Sequence, residues 1–176
     1  MNKYENYNMK LDCNCNDNIS NFNNSYWENR GVTTDELDII NYLLKKKYNF
    51  HKKNILHIGI GNSYIAEKLS TFKCRIVGIT ISKNEINFAK LKKIKNYRVL
   101  LINKYSKKIS QLNKIKKFDL IIDANLKSYA CCDNSFDFLF YKLNSFLFLN
   151  GLTQFGFDLN LFIFFDEILL INQPIG

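Results

Sequence analysis

Gly59 and Gly61 are separated by one residue and lie between the apolar run "ILHI" and the segment "SYIAEKL", which has helical periodicity. Glycine allows a sharp backbone turn and the close approach of a ligand. The free N–H groups at the start of a following helix attract anionic or polar groups. This arrangement predicts a loop that binds a nucleotide-like ligand. On the residues alone, the alternative is a tight turn without a ligand.

The loop differs from the dinucleotide-binding fingerprint. That fingerprint has a third glycine at the position that Tyr64 occupies, and an acidic residue about twenty positions later for the ribose. The second predicted strand of this chain ends at Thr80 instead. The sequence therefore disfavours a nicotinamide or flavin cofactor.

Strand-like and helix-like segments alternate through the chain and position this loop. The predicted strands are 54–60, 74–80, 97–103, 118–123 and 152–158, and the predicted helices are 34–48, 63–72, 82–94 and 134–150. Residues 104–117 are predicted to form a loop and a short helix. The alternation predicts an α/β fold, a doubly wound and mostly parallel Rossmann-like sheet with helices on both faces. The ligand crevice of such a sheet lies at the carboxyl ends of the strands, where the two glycines are.

The length of 176 residues fits one domain. Residues 1–25 are polar and rich in asparagine, which predicts a flexible N-terminal arm before a single domain over 26–176. The last segment, 159–176, is expected to supply one further strand, or a helix and a strand, so the C-terminal part is shortened. Because this would leave an apolar edge that another subunit can cover, a homodimer is expected.

The segments "HIGIGNS", "VGITISKNEINFAK" and "FDLIIDAN" together resemble the successive motifs of class I methyltransferases that use S-adenosyl-L-methionine (SAM), over roughly residues 26 to 157. "GITIS" is similar to the second-strand motif of the cyclopropane-synthase-like branch, in which G-x-T-x-S replaces the common acid. The resemblance implies a SAM-dependent methyltransferase with an unidentified acceptor. The alternative is a non-catalytic or degenerate SAM-binding Rossmann-like protein.

The resemblance also implies which residues meet the cofactor. The glycine loop would pack under the methionine part, the end of the second strand would hold the ribose, and the end of the third would contact the adenine. His57 replaces an acid that is usual before the loop, and Ser63 replaces the third glycine of G-x-G-x-G. Arg30, in "YWENR", would pair with the cofactor's carboxylate, or else serve only as a contact at the start of the helix. The implied cofactor-binding residues are Arg30, His57, Gly59, Gly61, Asn62, Ser63, Thr80, Ser82 and Asn103.

Asp123 and Asn125 follow the fourth predicted strand and are the candidate catalytic residues. Asp123 could orient the cofactor's amino group or accept a proton from the nucleophile, and Asn125 could hold an amide or amine of the substrate. The structural alternative for Asp123 is a cap on the following turn.

The chain is basic, with 25 Lys and Arg against 16 Asp and Glu, a formal charge of +9 and a pI near 9.2. Such a charge ordinarily indicates nucleic acid or an anionic surface as a partner. Lysine, asparagine and isoleucine are in excess together, as the codons of an AT-rich genome would impose, and this compositional explanation is preferred. A nucleic-acid partner stays open but is not indicated.

The five cysteines and the hydrophobic segments bear on the compartment. The cysteine count is odd and no secretory leader is recognised, so free thiols in a reduced cytoplasmic chain are expected, and no metal site. The pairs Cys13/Cys15 and Cys131/Cys132 lack the usual zinc-ligand spacing. No apolar stretch is long enough to span a bilayer, which predicts a soluble protein without a membrane partner.

Overall fold

The computed structural model describes residues 29–115, 117–124, 133–147 and 161–164. The helices are α1 (Thr34–Lys45), α2 (Tyr64–Ser70), α3 (Lys83–Leu91) and α4 (Asp133–Phe146), with a 3-10 helix at Lys107–Lys114. The strands are β1 (Asn54–Ile58), β2 (Arg75–Thr80), β3 (Tyr97–Leu101), β4 (Leu120–Asp123) and β5 (Leu161–Phe164).

The strands form one sheet in the order β3-β2-β1-β4-β5, and every neighbouring pair is parallel. The chain moves outward from β1 to β3 and then returns to the other side of β1 for β4 and β5. The predicted doubly wound Rossmann-like α/β fold is therefore confirmed. The strand predicted at 152–158 and the arm at 1–25 lie outside the described residues, and β5 falls in the segment expected to supply one further strand.

The common direction of the strands gives the sheet two different edges. We call the edge where the strands begin the amino edge and the edge where they end the carboxyl edge. Because the connecting helices run against the strands, they begin near the carboxyl edge and end near the amino edge. Among the described helices, none is both long and apolar enough to cross a lipid bilayer.

Each face of the sheet is covered by its own hydrophobic layer. The alternation along β1 divides the layers, since Ile55 belongs to one buried cluster and Leu56 to the other. One cluster joins the sheet to α1 and α2 through residues that include Ile39, Leu43, Ile65 and Leu69. The other joins it to the 3-10 helix and α4 through residues that include Ile109, Leu112, Leu139 and Leu143. Both faces are thus filled, and side chains that bind ligands are left to the edges.

Helix α1 begins at the predicted capping box. The Glu36 backbone N–H donates to Thr33 Oγ1 at 3.2 Å, and the Thr33 N–H donates to Glu36 Oε2 at 2.9 Å. Two N–H groups that a helix start leaves open are satisfied reciprocally. The predicted start of this helix is confirmed, and the helix ends at Lys45, before the predicted residue 48.

Gly78 in β2 leaves the space in which Tyr97 of β3 and Ile60 of the glycine loop pack. A Cβ at this position would lie 2.6 Å from Ile60 Cγ2 and 2.7 Å from the Tyr97 hydroxyl oxygen. The missing side chain lets Tyr97 of β3 cross the neighbouring strand and reach the loop. The loop therefore depends on a glycine outside it.

We expect Gly78→Ala to lower the free energy of unfolding by about 1–3 kcal/mol, because the added methyl group forces Ile60 or Tyr97 to move. Urea unfolding at neutral pH measures this change. Gly31→Ala is the matched control, because a Cβ at Gly31 meets nothing within 4 Å. Equal stability of the two variants would contradict the packing role of Gly78.

Candidate functional site

The glycine loop has the backbone conformation that the sequence predicts. Gly59 and Gly61 have φ angles of 69° and 50°, in the left-handed region that favours glycine. Ser63 also lies there, with φ 63°, immediately before α2. Its N–H donates to the Ile60 carbonyl at 2.7 Å, and its buried hydroxyl is 3.2 Å from the Tyr97 hydroxyl. The serine therefore takes the conformation of the third glycine and is held there from β3.

A carboxylate from α3 joins this loop to the end of β2. Glu85 Oε2 accepts hydrogen bonds from the Thr80 hydroxyl at 2.6 Å and from the Gly61 N–H at 3.2 Å. Glu85 is buried, and both of these bonds go to the same oxygen, Oε2. A buried acid from α3 thus lies beside Thr80, five residues further along the chain.

Glu85 belongs to a second pattern that resembles a capping box, S-x-x-E from Ser82. The first half of the box forms, because the Glu85 N–H donates to Ser82 Oγ at 3.3 Å. In a complete box the glutamate would accept from the Ser82 N–H, as Glu36 does from Thr33. Here the Ser82 N–H donates to Thr80 Oγ1 at 3.0 Å instead. The Glu85 carboxylate therefore makes no bond to the Ser82 N–H at the start of its own helix. It bonds the Gly61 N–H and the Thr80 hydroxyl between β1 and β2 instead.

The surroundings of Glu85 change its acidity. Burial raises the pKa of Glu85 to about 7, while the hydrogen bonds from Thr80 and Gly61 and the positive charge of Arg30 lower it in part. The carboxyl group therefore changes charge near neutral pH. A buried carboxyl group with such a raised pKa, beside a glycine loop, is found more often in binding and catalytic sites than elsewhere in a protein.

Arg30 and Asn62 bring the segment before α1 to the loop. The Asn62 side-chain amide donates to the carbonyls of Arg30 and Gly31, at 3.1 and 3.3 Å. Its oxygen accepts from the Tyr64 N–H at 3.0 Å, at the start of α2. The structure therefore places Arg30 beside the loop, and its charge acts on Glu85.

The turn after β3 contains Asn103 and Lys104 at the same carboxyl edge. The Ile102 N–H donates to the Thr80 carbonyl at 2.9 Å, which fixes the turn beside the end of β2. Asn103 Oδ1 accepts from the Tyr105 N–H at 2.9 Å, so the side chain of Asn103 shapes the turn. This predicted adenine contact is thus near the crevice, with its oxygen used within the turn.

Asp123 lies at the carboxyl end of β4, fully buried, in an ion pair that the sequence did not predict. Lys104 Nζ is 2.9 and 3.2 Å from the two oxygens of Asp123. Burial lowers the pKa of the Lys104 ammonium, and the Asp123 carboxylate raises it in part. A proton acceptor at Asp123 must therefore share its oxygens with an ammonium. Asn125, the other candidate catalytic residue, lies outside the described residues.

His57 is a buried residue of the central strand β1. It lies on β1 between Gly78 and Ile122 of the neighbouring strands, and it is 1% exposed. Neither ring nitrogen has a hydrogen-bond partner among the described residues. Burial lowers the pKa of His57 to about 4. The structure places it under the glycine loop as a neutral side chain.

His57 makes the stability of the fold depend on pH. The unfolded chain binds a proton at this histidine near its ordinary pKa of 6.5, but the folded chain does so only near 4. The contribution of His57 to the stability is therefore complete above pH 6.5 and falls as the pH drops towards 4, by about 2 kcal/mol between pH 7 and pH 5. Glu85, whose pKa is raised by folding to about 7, contributes in the opposite direction over the same interval. We expect His57→Leu to remove this contribution, so that the stability of the variant relative to the unaltered chain rises by about 2 kcal/mol from pH 7 to pH 5, as measured by urea unfolding at several pH values.

The matched control for that experiment is His51→Leu, which removes an exposed histidine. This control should keep the pH dependence of the unaltered chain. A His57→Leu variant whose stability changes with pH in the same way as that of the control would rule out a contribution from His57.

The described residues give no metal centre. No group of three or more His, Cys, Asp and Glu side chains comes together within the described ranges. Cys74 is a buried free thiol whose pKa is raised by burial to about 11. The cysteine pairs Cys13/Cys15 and Cys131/Cys132 lie outside the described part of the chain.

Comparison of the sequence with protein families and with functionally characterised proteins gives no match. Comparison of the fold with solved structures gives clear similarity. NodS, an N-methyltransferase from Bradyrhizobium japonicum in complex with S-adenosyl-L-homocysteine (SAH), has a TM-score of 0.53 and 20% sequence identity. The chain has the fold of class I SAM-dependent methyltransferases.

Two further structures support this fold assignment. A TehB-like SAM-dependent methyltransferase from Corynebacterium glutamicum has a TM-score of 0.54 at 18% identity, with 73% of this chain and 71% of that chain covered. Magnesium protoporphyrin IX methyltransferase (ChlM) from Synechocystis has a TM-score of 0.53 at 11% identity, with 69% of this chain and 60% of that chain covered. The match to NodS covers 68% of this chain and 60% of NodS, so the chain matches about three fifths of that enzyme.

Proposed function

We propose that the chain is a SAM-dependent methyltransferase whose acceptor is unidentified. The observation that carries the proposal is the Glu85 carboxylate, which is diverted from its own helix end to the Gly61 N–H and the Thr80 hydroxyl. A carboxylate at this place, whose two bonds both go to Oε2, fits the ribose diol of a nucleoside. The similarity to SAH-containing structures such as NodS and ChlM supports SAM as that nucleoside.

The residues around the crevice divide the work of holding the cofactor. The left-handed loop at Gly59 and Gly61 gives the methionine part room against the backbone. Arg30 supplies a guanidinium for its carboxylate. Thr80 and Ser82 hold Glu85 in place, so we assign them a positioning role behind the ribose contact. Asn62 ties Arg30 to the loop, while His57 supports the loop from below.

SAM supplies an activated methyl group, so the protein needs mainly to align the nucleophile with it. Asp123 and Asn125 are our candidates for contact with the acceptor. Both oxygens of Asp123 lie within hydrogen-bond distance of the Lys104 ammonium, so an acceptor at this end of the crevice meets this ion pair. We therefore propose that acceptor binding at this end of the crevice rearranges the ion pair.

The second-strand motif supports a finer assignment. "GITIS" is similar to the motif of the cyclopropane-synthase-like branch, in which no acid ends the second strand. The position of Glu85 gives this difference a physical meaning, because an acid from α3 reaches the same place. Because of this position of Glu85, we propose that the chain is related to the cyclopropane-synthase-like branch.

The second candidate function is SAM binding without methyl transfer. The Lys104–Asp123 ion pair favours it, because an internal ammonium engages the carboxylate nearest to the expected acceptor position. Such a protein would bind SAM or SAH through the same Glu85 site. The two functions therefore differ in turnover and not in the binding of the cofactor.

We expect SAM and SAH each to bind with measurable heat in calorimetric titration at a protein concentration of about 0.1 mM. Gly61→Arg should abolish this heat, because the φ of 50° is strained for arginine and its side chain fills the space at the loop. Gly31→Ala should bind as the unaltered chain does. Absence of heat with both ligands would overturn the proposal and its alternative together. Methyl-labelled SAM with cell extract then separates the two, since only the enzyme transfers label.

Glu85 predicts a pH dependence of cofactor affinity. Hydroxyl groups donate to an ionised carboxylate, but the carboxyl of the free protein is protonated below a pKa of about 7. The proton must then be removed first, so we expect the dissociation constant of SAM to rise about tenfold for each pH unit below 7. Titrations between pH 5.5 and pH 8 measure this slope.

Glu85→Gln should remove the slope, because an amide does not titrate. Glu67→Gln, which removes an exposed glutamate of α2, should keep it. If Glu85→Gln binds SAM with the same slope as the unaltered chain, Glu85 has no part in the contact, although SAM binding itself would stand.

A further inference from the structure

The amino edge of the sheet, opposite the crevice, is covered with exposed basic side chains. They come from the ends of the helices and from the residues that lead into the strands. We call this set the basic edge: Lys45, Lys46, Lys47, Lys52, Lys73, Arg75, Lys93, Lys95, Lys114 and Lys117.

Backbone hydrogen bonds bring the segments that lead into the strands side by side. The Arg75 N–H donates to the Lys53 carbonyl at 2.8 Å, which joins the starts of β2 and β1. The Ile76 N–H donates to the Asn96 carbonyl at 2.9 Å, which places Lys95 beside Arg75. The Asn54 side chain donates to the Lys117 carbonyl at 3.3 Å. With strands about 4.8 Å apart, the backbone segments that carry Lys95, Arg75, Lys52 and Lys117 lie side by side across β3, β2, β1 and β4.

The positive charge of this edge is not balanced within the described residues. Asp119 is the one described acid at the segments that lead into the strands, and it pairs with Lys53 at 3.3 Å. Glu67 of α2 pairs with Lys92 at 2.7 Å. Neither Lys53 nor Lys92 belongs to the basic edge, so the exposed cations remain in excess. Most other described acids lie at helix starts, nearer the carboxyl edge.

Two general causes explain only part of this distribution. Lysines near a helix C-terminus interact favourably with the helix dipole, which accounts for Lys45, Lys46 and Lys93. It does not account for Lys52, Lys95 and Lys117, which precede strands, or for Arg75, the first residue of β2. An AT-rich codon bias explains the number of lysines but not their concentration at one edge.

The helix ends at the basic edge also expose apolar side chains. Leu44 is 47% exposed, Phe72 is 40% exposed and Leu91 is 75% exposed. Each directly precedes a lysine at the end of α1, α2 or α3. The segment after α1 meets the segment after α2, because the Phe50 and Phe72 rings are 4.9 Å apart, and the Lys92–Glu67 ion pair joins α3 to α2. The surface therefore combines a field of cations with separate apolar side chains.

We propose that the basic edge docks on an anionic lipid surface, with the lysines near the headgroups and Leu44, Phe72 and Leu91 at the boundary with the acyl chains. Membrane-surface proteins combine lysine with exposed apolar side chains in this way. Recognition of nucleic acid favours arginine, and Arg75 is the only arginine of the set. The expectation of no membrane partner rested on the lack of a spanning segment, which surface docking does not require. The proposal is independent of methyl transfer.

Cosedimentation with vesicles tests the charge contribution. We expect the full chain to bind phosphatidylcholine vesicles that contain about 30 mol% phosphatidylserine, and not pure phosphatidylcholine, with binding lost at high salt. The variant Lys46→Gln/Lys73→Gln/Lys93→Gln should bind about a hundredfold more weakly, because each lysine near such a surface contributes about fivefold. The matched control, Lys83→Gln/Lys107→Gln/Lys108→Gln, removes the same charge from the carboxyl edge and should weaken binding much less.

The apolar contribution separates a lipid surface from nucleic acid. Leu44→Ser/Leu91→Ser should weaken vesicle binding several-fold, whereas Leu37→Ser, at the start of α1, should not. Binding of a single-stranded RNA without binding of phosphatidylserine vesicles would assign the surface to nucleic acid and overturn the proposal. It is also overturned if the chain binds neither, if the two lysine variants lose vesicle binding equally, or if the leucine variant binds vesicles as the unaltered chain does.

Discussion

The carboxylate of Glu85 connects three parts of the fold that a cofactor site must align. One of its oxygens accepts from the loop after β1 and from the end of β2, while its own helix, α3, starts between them. Because one donor lies in the loop after β1 and the other ends the neighbouring strand β2, a single buried acid ties the loop to the strand end. Much of the local geometry follows from this constraint. Ser82 caps α3 without a return bond from the glutamate, and Thr80 satisfies the Ser82 N–H that the incomplete capping box leaves open.

The two edges of the sheet have different chemistry because all strands run in one direction. The carboxyl edge collects the starts of the helices, the left-handed loop and buried ionisable groups. The amino edge collects the helix ends and the exposed cations. Docking through the amino edge would leave the crevice facing water, where a soluble acceptor can enter. Because the strands are parallel, the proposed cofactor site and the proposed docking surface lie at opposite edges of the sheet.

The sequence predicts the architecture because its evidence is local. Apolar runs such as "NILHI" and helical segments such as "SYIAEKLS" alternate clearly, and parallel connections then place Gly59, Gly61 and Thr80 at one edge. The roles of Glu85 and Lys104 could not be predicted in this way, because tertiary packing determines which residues they contact. The S-x-x-E pattern at Ser82 is visible in the sequence, but no local rule predicts that the carboxylate leaves its helix. The basic edge is equally hidden, since short lysine clusters far apart in the chain meet only in the folded sheet.

Ser63 stands where the glycine pattern of the loop would have a third glycine. Its position depends on several other residues together. Ser63 touches the Tyr97 hydroxyl, Tyr97 crosses the backbone of Gly78, and the same glycine makes room for Ile60. A larger residue at position 78 would displace the tyrosine, and a phenylalanine at 97 would leave the serine hydroxyl without this contact. A substitution at one of these positions alone should lower the stability of the fold, and a second substitution among them can restore it. Among relatives of this chain, positions 60, 63, 78 and 97 should therefore vary as a set, and their covariation would record the route by which a serine came to stand in a glycine's place.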